Sequence, residues 1–141
     1  MNSKIYLSWL MLLAIMFLSV TAKADVKIEN AWLRLLPPSS KMTAAYMQIT
    51  SDQEDRLVSV HSDLAKSVEI HQSKMENGVI SMNEVSCLYL PQGEMVELKP
   101  QGYHLMVMGL KKALKEGDTH QFILEFEHAE PLTIILPVKS P

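Results

Sequence analysis

The chain has 141 residues, 13 of them basic and 16 acidic, so its formal net charge is −3. This length fits a single domain with one core, and an acidic chain without a basic patch argues against nucleic acid or an anionic membrane as a partner. Cys87 is the single cysteine, which excludes an internal disulfide. Ten methionines exceed ordinary usage and indicate either a soft core or a thioether metal site.

The first 24 residues have the pattern of a secretory signal peptide. Lys4 gives a positive start, residues 5–20 are almost entirely apolar, and Ala22 and Ala24 form a small-residue cleavage site. An uncleaved anchor is the alternative, but the apolar stretch is short for a membrane span and no basic cluster follows it. No cysteine lies near the cleavage site, so a lipoprotein is not indicated. We expect a signal peptide over 1–24 and a periplasmic domain over 25–141, without stable membrane insertion.

Short apolar segments separated by turn residues follow one another along the domain and predict strands. Asn77-Gly78 is a strong signal for a two-residue hairpin, and no long segment has the period of 3.6 typical of a helix. The pattern predicts an all-β domain of eight or nine short strands in an antiparallel sandwich or barrel. The predicted strands cover residues 26–36, 43–50, 57–60, 68–71, 80–85, 95–98, 103–110, 122–126 and 132–138.

The segment 103–108 places one histidine and two methionines on one face of a predicted strand. Because successive side chains of a strand point to opposite faces, His104, Met106 and Met108 share one face and the residues between them share the other. Side chains two positions apart start roughly 6–7 Å from each other, so their tips can converge on one ion. Packing of a second buried face is the alternative interpretation.

A second histidine and methionine flank the predicted hairpin turn. If Asn77-Gly78 forms the whole loop, Ser73 lies opposite Met82 and His71 lies opposite Glu84. His71 and Met82 are then diagonal neighbours on one face, about 7–8 Å apart and within reach of each other. A longer loop would change this register, and a methionine after a hairpin can equally belong to the core.

Together, His71, Met82, His104 and Met106 supply two imidazoles and two thioethers. Thioether sulfur is a soft ligand that favours Cu(I) over Zn²⁺, Mg²⁺ or Ca²⁺. A site without a thiolate also suits an oxidising compartment, where thiols tend to form disulfides. Glu69 shares the predicted face of His71 and could orient its imidazole. These four residues are therefore the candidate ligands of one Cu(I) ion.

Their spacing, H-x10-M-x21-H-x-M, resembles the signature of the periplasmic Cu(I) chaperones of the PCuAC family. Residues 98–106 also resemble that family, except that Gln101 stands where the family often has a second glycine, and the resemblance covers residues 31–138. It implies a cupredoxin-like β-barrel that carries one Cu(I). It also implies delivery to a copper acceptor such as the Cu(A) subunit of cytochrome oxidase or a Sco-type protein.

Two other functions are compatible with parts of the pattern. A structural or protein-interaction β-sandwich would use the methionine-rich strand as core, so that changing Met106 would cost stability and not metal affinity. An electron-transfer cupredoxin would use Cys87 as a ligand and would be a blue Cu(II) protein. No histidine lies between Cys87 and His104, which disfavours that reading, and we expect Cys87 to be a small buried hydrophobe.

The remaining polar residues give little support for an enzyme. No Ser-His-Asp set or phosphate-binding glycine loop is recognisable, and Cys87 has no evident activating partner. His61, His120 and His128 lie near predicted strand ends or loops, among polar residues. We expect all three to be exposed to solvent.

Overall fold

The computed structural model describes residues 23–141, which contain ten β-strands. These residues contain no helix, and hence none that could cross a membrane. Apart from Lys23 and Ala24, the predicted signal peptide lies outside the described residues. The strands are β1 (Val26–Arg34), β2 (Met42–Ser51), β3 (Asp55–His61), β4 (Ser67–Glu76), β5 (Val79–Glu84), β6 (Leu88–Leu90), β7 (Met95–Leu98), β8 (Tyr103–Met108), β9 (Thr119–Phe126) and β10 (Leu132–Lys139).

The all-β prediction is confirmed, with ten strands in place of the expected eight or nine. The additional strand is β6, which has only three residues and pairs with the start of β3. A segment this short shows no measurable period, because two alternations do not distinguish a strand from a loop. The sequence therefore could not separate β6 from the turns on either side.

All ten strands form one sheet in the order β5-β4-β8-β7-β2-β1-β10-β9-β3-β6. A further pairing, with Val60 of β3 opposite Val68 of β4, closes this sheet into a barrel. Most neighbours are antiparallel, as predicted, but β1 and β10 run parallel with Leu33 opposite Val138, and β7 pairs parallel to β8 at one position. Because the closing pair is β3 and β4, the two outermost strands, β5 next to β4 and β6 next to β3, extend the sheet beyond the point of closure.

The core fills the inside of this barrel, mainly with alternate residues of the strands, whereas every residue of β5 is exposed. On β2 the period-two prediction is confirmed, since Ala45, Met47 and Ile49 are all buried. On β8, Leu105 and Val107 are fully buried, as expected for the face opposite the candidate ligands. The inward faces of β2 and β8 are thus mainly apolar, and their outward faces are free to carry polar and sulfur-containing side chains.

Asp55 is a buried acid that fixes the turn after β9. Its carboxylate accepts hydrogen bonds from the backbone N–H groups of Arg56 at 2.7 Å, His128 at 3.0 Å and Ala129 at 2.8 Å. Three donors satisfy a charge that would otherwise be costly to bury. The start of β3 is therefore held against the connection between β9 and β10.

The prediction that His120 is exposed is wrong. His120 is 8% exposed because it is the first residue on the inward face of β9, followed by Phe122, Leu124 and Phe126 at period two. Burial lowers the pKa of His120, the positive charge of Lys112 lowers it further, and Asp118 acts in the opposite direction. His61 and His128 are exposed, as expected.

Because the pKa of His120 is lowered in the folded protein, its imidazole should make the protein sensitive to acid. As the pH falls below about 6.5, the usual histidine pKa, the unfolded chain takes up a proton that the folded imidazole resists, so the free energy of unfolding decreases. Urea unfolding at pH of about 7 and about 5 should show a smaller loss for His120→Gln than for the unchanged protein. His61→Gln, at an exposed histidine, should behave like the unchanged protein, and equal losses in all three would contradict the prediction.

Candidate metal centre

Strands β5, β4 and β8 bring the four predicted ligands to the outer side of the sheet. Within this group β4 and β8 are antiparallel neighbours, and His71 and His104 are direct Cα partners. Their ring centroids are 5.8 Å apart and the ring planes are inclined by 50°. Two imidazoles that bind one ion tetrahedrally, at about 2 Å per nitrogen, have centroids roughly 5 Å apart. The histidine pair is therefore close to the geometry that one shared ion requires.

The hydrogen bonding of His104 leaves one ring nitrogen available. His104 is 4% exposed, and its Nδ1 lies 3.1 Å from the carbonyl oxygen of Gly102. A carbonyl only accepts hydrogen bonds, so Nδ1 carries the proton and donates it, and Nε2 of the neutral ring keeps its lone pair. Metal-binding histidines commonly have this arrangement, in which a carbonyl fixes the tautomer and the orientation of the ring.

His71 is oriented by the carboxylate that the sequence pattern placed on its face. Nε2 of His71 lies 2.9 Å from Oε2 of Glu69, which accepts its hydrogen bond. The other ring nitrogen, Nδ1, is buried and has no hydrogen-bond partner among residues 23–141. A buried polar atom without a partner is costly, and a soft metal ion bound to Nδ1 would remove that cost.

The hairpin between β4 and β5 has the register that its two-residue turn predicts. Ser73 lies opposite Met82 and His71 lies opposite Glu84, while Asn77 and Gly78 have φ values of 51° and 78°. Positive φ at both positions is the requirement of a type I′ turn, which asparagine followed by glycine meets at low cost. Met82 therefore lies on the same face as His71.

A cavity of about 290 Å³ joins three of the predicted ligands. Met82, His104 and Met106 all line it, and His71 lies beside His104 on the adjoining strand. Met82 is 57% exposed, whereas Met106 is half-buried. The site thus has one accessible sulfur at its outer side and one buried imidazole on its inner side.

The turn before β8 positions His104 at the expense of an unfavourable backbone conformation. Gln101 has φ of 66°, in the left-handed region that favours glycine. This conformation accounts for the glycine that the PCuAC family often has at this position. In the same turn the N–H of Gly102 donates to the oxygen of Lys99 at 3.1 Å. The carbonyl of Gly102 accepts from both the backbone N–H of Ser73 and the His104 ring, so the turn links β4 to the orientation of His104.

Two thioethers lie on the same face as the two imidazoles, Met82 on β5 and Met106 on β8. Within the described part of the chain, no three His, Cys, Asp or Glu side chains come together as a metal site. Cys87 lies between β5 and β6, is half-buried and not buried as the sequence analysis expects, and does not line the cavity. The described residues around the cavity therefore lack the thiolate of a blue-copper site.

Comparison with known proteins identifies the family of the chain. The family model described as "Putative lipoprotein LpqE-like" matches residues 26–138. The chain belongs to the LpqE-like family. This LpqE-like protein is 32% identical over 118 residues to "Putative lipoprotein Lxx21020" of Leifsonia xyli subsp. xyli, a match that covers 82% of this chain and 70% of that one. It is 30% identical over 112 residues to "Uncharacterized protein RP573" of Rickettsia prowazekii, covering 75% of this chain and 62% of that relative, less than two-thirds of its length.

Solved structures similar to the LpqE-like protein are copper-binding domains. The "Copper-bound PCuAC domain from PmoF2" is 29% identical with a TM-score of 0.71, covering 85% of this chain and 97% of that domain. The Cu(I) form of DR1885 from Deinococcus radiodurans is 30% identical with a TM-score of 0.65, and the match covers 90% of this chain and 86% of DR1885. The LpqE-like protein therefore has the fold of the PCuAC copper-binding domains, as its resemblance to that family predicts.

Proposed function

We propose that this protein carries a single Cu(I) ion in the periplasm, with His71, Met82, His104 and Met106 as its four ligands. The observation that carries the proposal is the direct pairing of His71 with His104, which have a ring-centroid separation of 5.8 Å. The thioethers of Met82 and Met106 lie on the same face as the two histidines. Thioether sulfur is a soft ligand, so the combined ligand set suits Cu(I). The copper-bound PCuAC relatives, which share the fold, add independent support.

Support for export comes from two directions. The first 24 residues have the pattern of a signal peptide, and the family and one relative are described as lipoproteins, which belong to the cell envelope. In that compartment a neutral ligand set has an advantage, because thioethers do not form disulfides. The copper ion is the cargo of such a carrier.

Transfer to an acceptor would begin at the exposed side of the site. Met82 is 57% exposed, whereas His104 is 4% exposed. An incoming thiolate or imidazole can therefore displace the Met82 sulfur first, while His104 holds the ion until the acceptor has supplied enough ligands. Thiolates bind soft ions more strongly than neutral thioethers, so a Sco-type protein or the Cu(A) subunit of cytochrome oxidase would draw the ion forward.

An anaerobic Cu(I) titration against a chromophoric chelator tests the ligand set. The unchanged protein should bind one Cu(I) tightly, and Met82→Ala/Met106→Ala should bind it at least about 100-fold more weakly, since even residues that only support ligands contribute 10–100-fold. Met95→Ala is a matched control, because Met95 on β7 is 52% exposed and Met82 is 57% exposed. If the double variant kept the Cu(I) affinity of the unchanged protein, the two thioethers would not be ligands, and if the unchanged protein did not compete for Cu(I) at all, the protein would be a structural β-domain.

A further inference from the structure

Two methionines outside the proposed ligand set lie next to it on the outer side of the sheet. Strands β2 and β8 are antiparallel neighbours, with Met42 opposite Met108 and Ala44 opposite Met106. Directly opposite side chains begin about 4.5–5.5 Å apart, and diagonal ones about 7–8 Å apart. The thioethers of Met42, Met106 and Met108 can therefore reach one point above the sheet.

Core packing does not account for these three side chains. Met47, on the inward face of β2, is 1% exposed and belongs to the core. Met42, on the outward face of the same strand, is 50% exposed, and Met106 and Met108 are only half-buried. None of the three belongs to the hydrophobic core or to the partly buried residues packed against it, so burial in the core does not explain their position.

The surroundings connect these methionines to the proposed copper site. Met42 and Met106 line the same 290 Å³ cavity as Met82 and His104. Ala44 also lines it and lies opposite Met106, where a small side chain leaves room above the sheet. The cavity therefore connects Met42 and Met106 of this group with Met82 and His104 of the proposed copper site, while Met108 lies outside its lining.

One charged side chain of each sign lies at or beside the cavity. Arg34 lines the cavity and its Nε is buried without a hydrogen-bond partner among the described residues. Glu69 lies opposite Met106 from the other side and partly balances this charge.

From this geometry we infer a second, weaker site for a soft monovalent cation, formed by the thioethers of Met42, Met106 and Met108. The inference extends the proposed function, on which its role as a transfer site rests. Because Met106 belongs to both sites, an ion bound by Met42 and Met108 can exchange these ligands for His71 and His104 while Met106 holds it. The second site is a position for loading or release of the ion next to the tighter one.

Titration of the purified protein with Ag(I) tests this site, because Ag(I) is a soft monovalent ion that thioethers bind as they do Cu(I). Calorimetry should detect two equivalents, the second bound at least tenfold more weakly, because Met106 is already engaged by the first ion and leaves only Met42 and Met108 for the second. NMR spectra should show the methyl signals of Met42 and Met108 moving with the second equivalent. Met42→Leu/Met108→Leu, which nearly conserves side-chain volume, should lose the second equivalent and keep the first, and Met95→Leu should keep both.

The outcomes separate this inference from the proposed function. One equivalent bound by the unchanged protein, or two equivalents retained by Met42→Leu/Met108→Leu, would overturn the second site and leave the first intact. In His71→Ala/His104→Ala the tight equivalent should disappear, while the weak one and the movement of the Met42 and Met108 methyl signals persist. Absence of all Ag(I) binding by the unchanged protein would overturn both proposals.

Discussion

Replacing His104 with alanine should weaken Cu(I) binding by about 100-fold or more, and replacing His71 should have an effect of similar size. Residues that merely orient a metal ligand contribute 10–100-fold to affinity, so removal of a ligand should cost at least as much. His104 is 4% exposed and its Nδ1 is held by the carbonyl of Gly102, so no other side chain can easily take its place. Anaerobic competition with a chromophoric Cu(I) chelator measures the loss.

The double variant His71→Ala/His104→Ala shows whether the two rings bind the same ion. The rings belong to directly paired residues with centroids 5.8 Å apart, so their contributions should be coupled. The loss in the double variant should then be smaller than the product of the two single losses, because removal of one ligand already disrupts the site. Losses that multiply would indicate independent sites and would contradict a shared ion.

A control at a histidine outside the site completes this experiment. His61 is exposed and its Nε2 lies 3.4 Å from Oγ of Ser59. His61→Ala removes an imidazole without touching the candidate metal centre, so its Cu(I) affinity should equal that of the unchanged protein. A comparable loss in His61→Ala would show that copper binds to histidines in general and that the arrangement on β4 and β8 has no special role.

Replacing Phe122 with alanine should lower the free energy of unfolding by about 3–5 kcal/mol, which is the usual cost of truncating a buried phenylalanine. Phe122 is the largest of the fully buried side chains. The loss includes both the transfer of the ring from the core to water and the cavity that remains. Since domains of this size are stable by about 5–15 kcal/mol, the variant should unfold at a clearly lower urea concentration.

The neighbouring position on β9 supplies the control for this change. Gln121 is exposed and its side chain points away from the core. Gln121→Ala should change the free energy of unfolding by less than about 0.5 kcal/mol. Urea unfolding followed by circular dichroism measures both variants, and a loss below about 1 kcal/mol for Phe122→Ala would mean that this end of the barrel is loosely packed.

The features that the sequence predicted well depend on local information. The Asn77-Gly78 turn has a fixed length, so it determined that Ser73 faces Met82 in the register that the structure has. The period of two along β8 separated the buried Leu105 from the outward candidate ligands. Both inferences need only a few neighbouring residues, and no knowledge of which strands lie side by side.

The features that the sequence did not predict depend on the order of strands in the sheet. His71 and His104 are opposite each other because β4 pairs with β8 across more than twenty intervening residues, and local period carries no information about such pairing. Met42 and Met108 are likewise opposite each other because β2 pairs with β8, which local sequence does not reveal. His120 differs from these, because its period-two relation to Phe122 was present in the sequence and would have indicated burial.

The length of the hairpin turn has a consequence for how this protein can change during evolution. With only Asn77 and Gly78 between the strands, Met82 shares a face with His71. Insertion or deletion of one residue in this loop would shift the pairing by one position and turn Met82 to the opposite face, although all four sulfur and nitrogen side chains would still be present. Sequences that keep these residues but differ in loop length should therefore not be assumed to share the site.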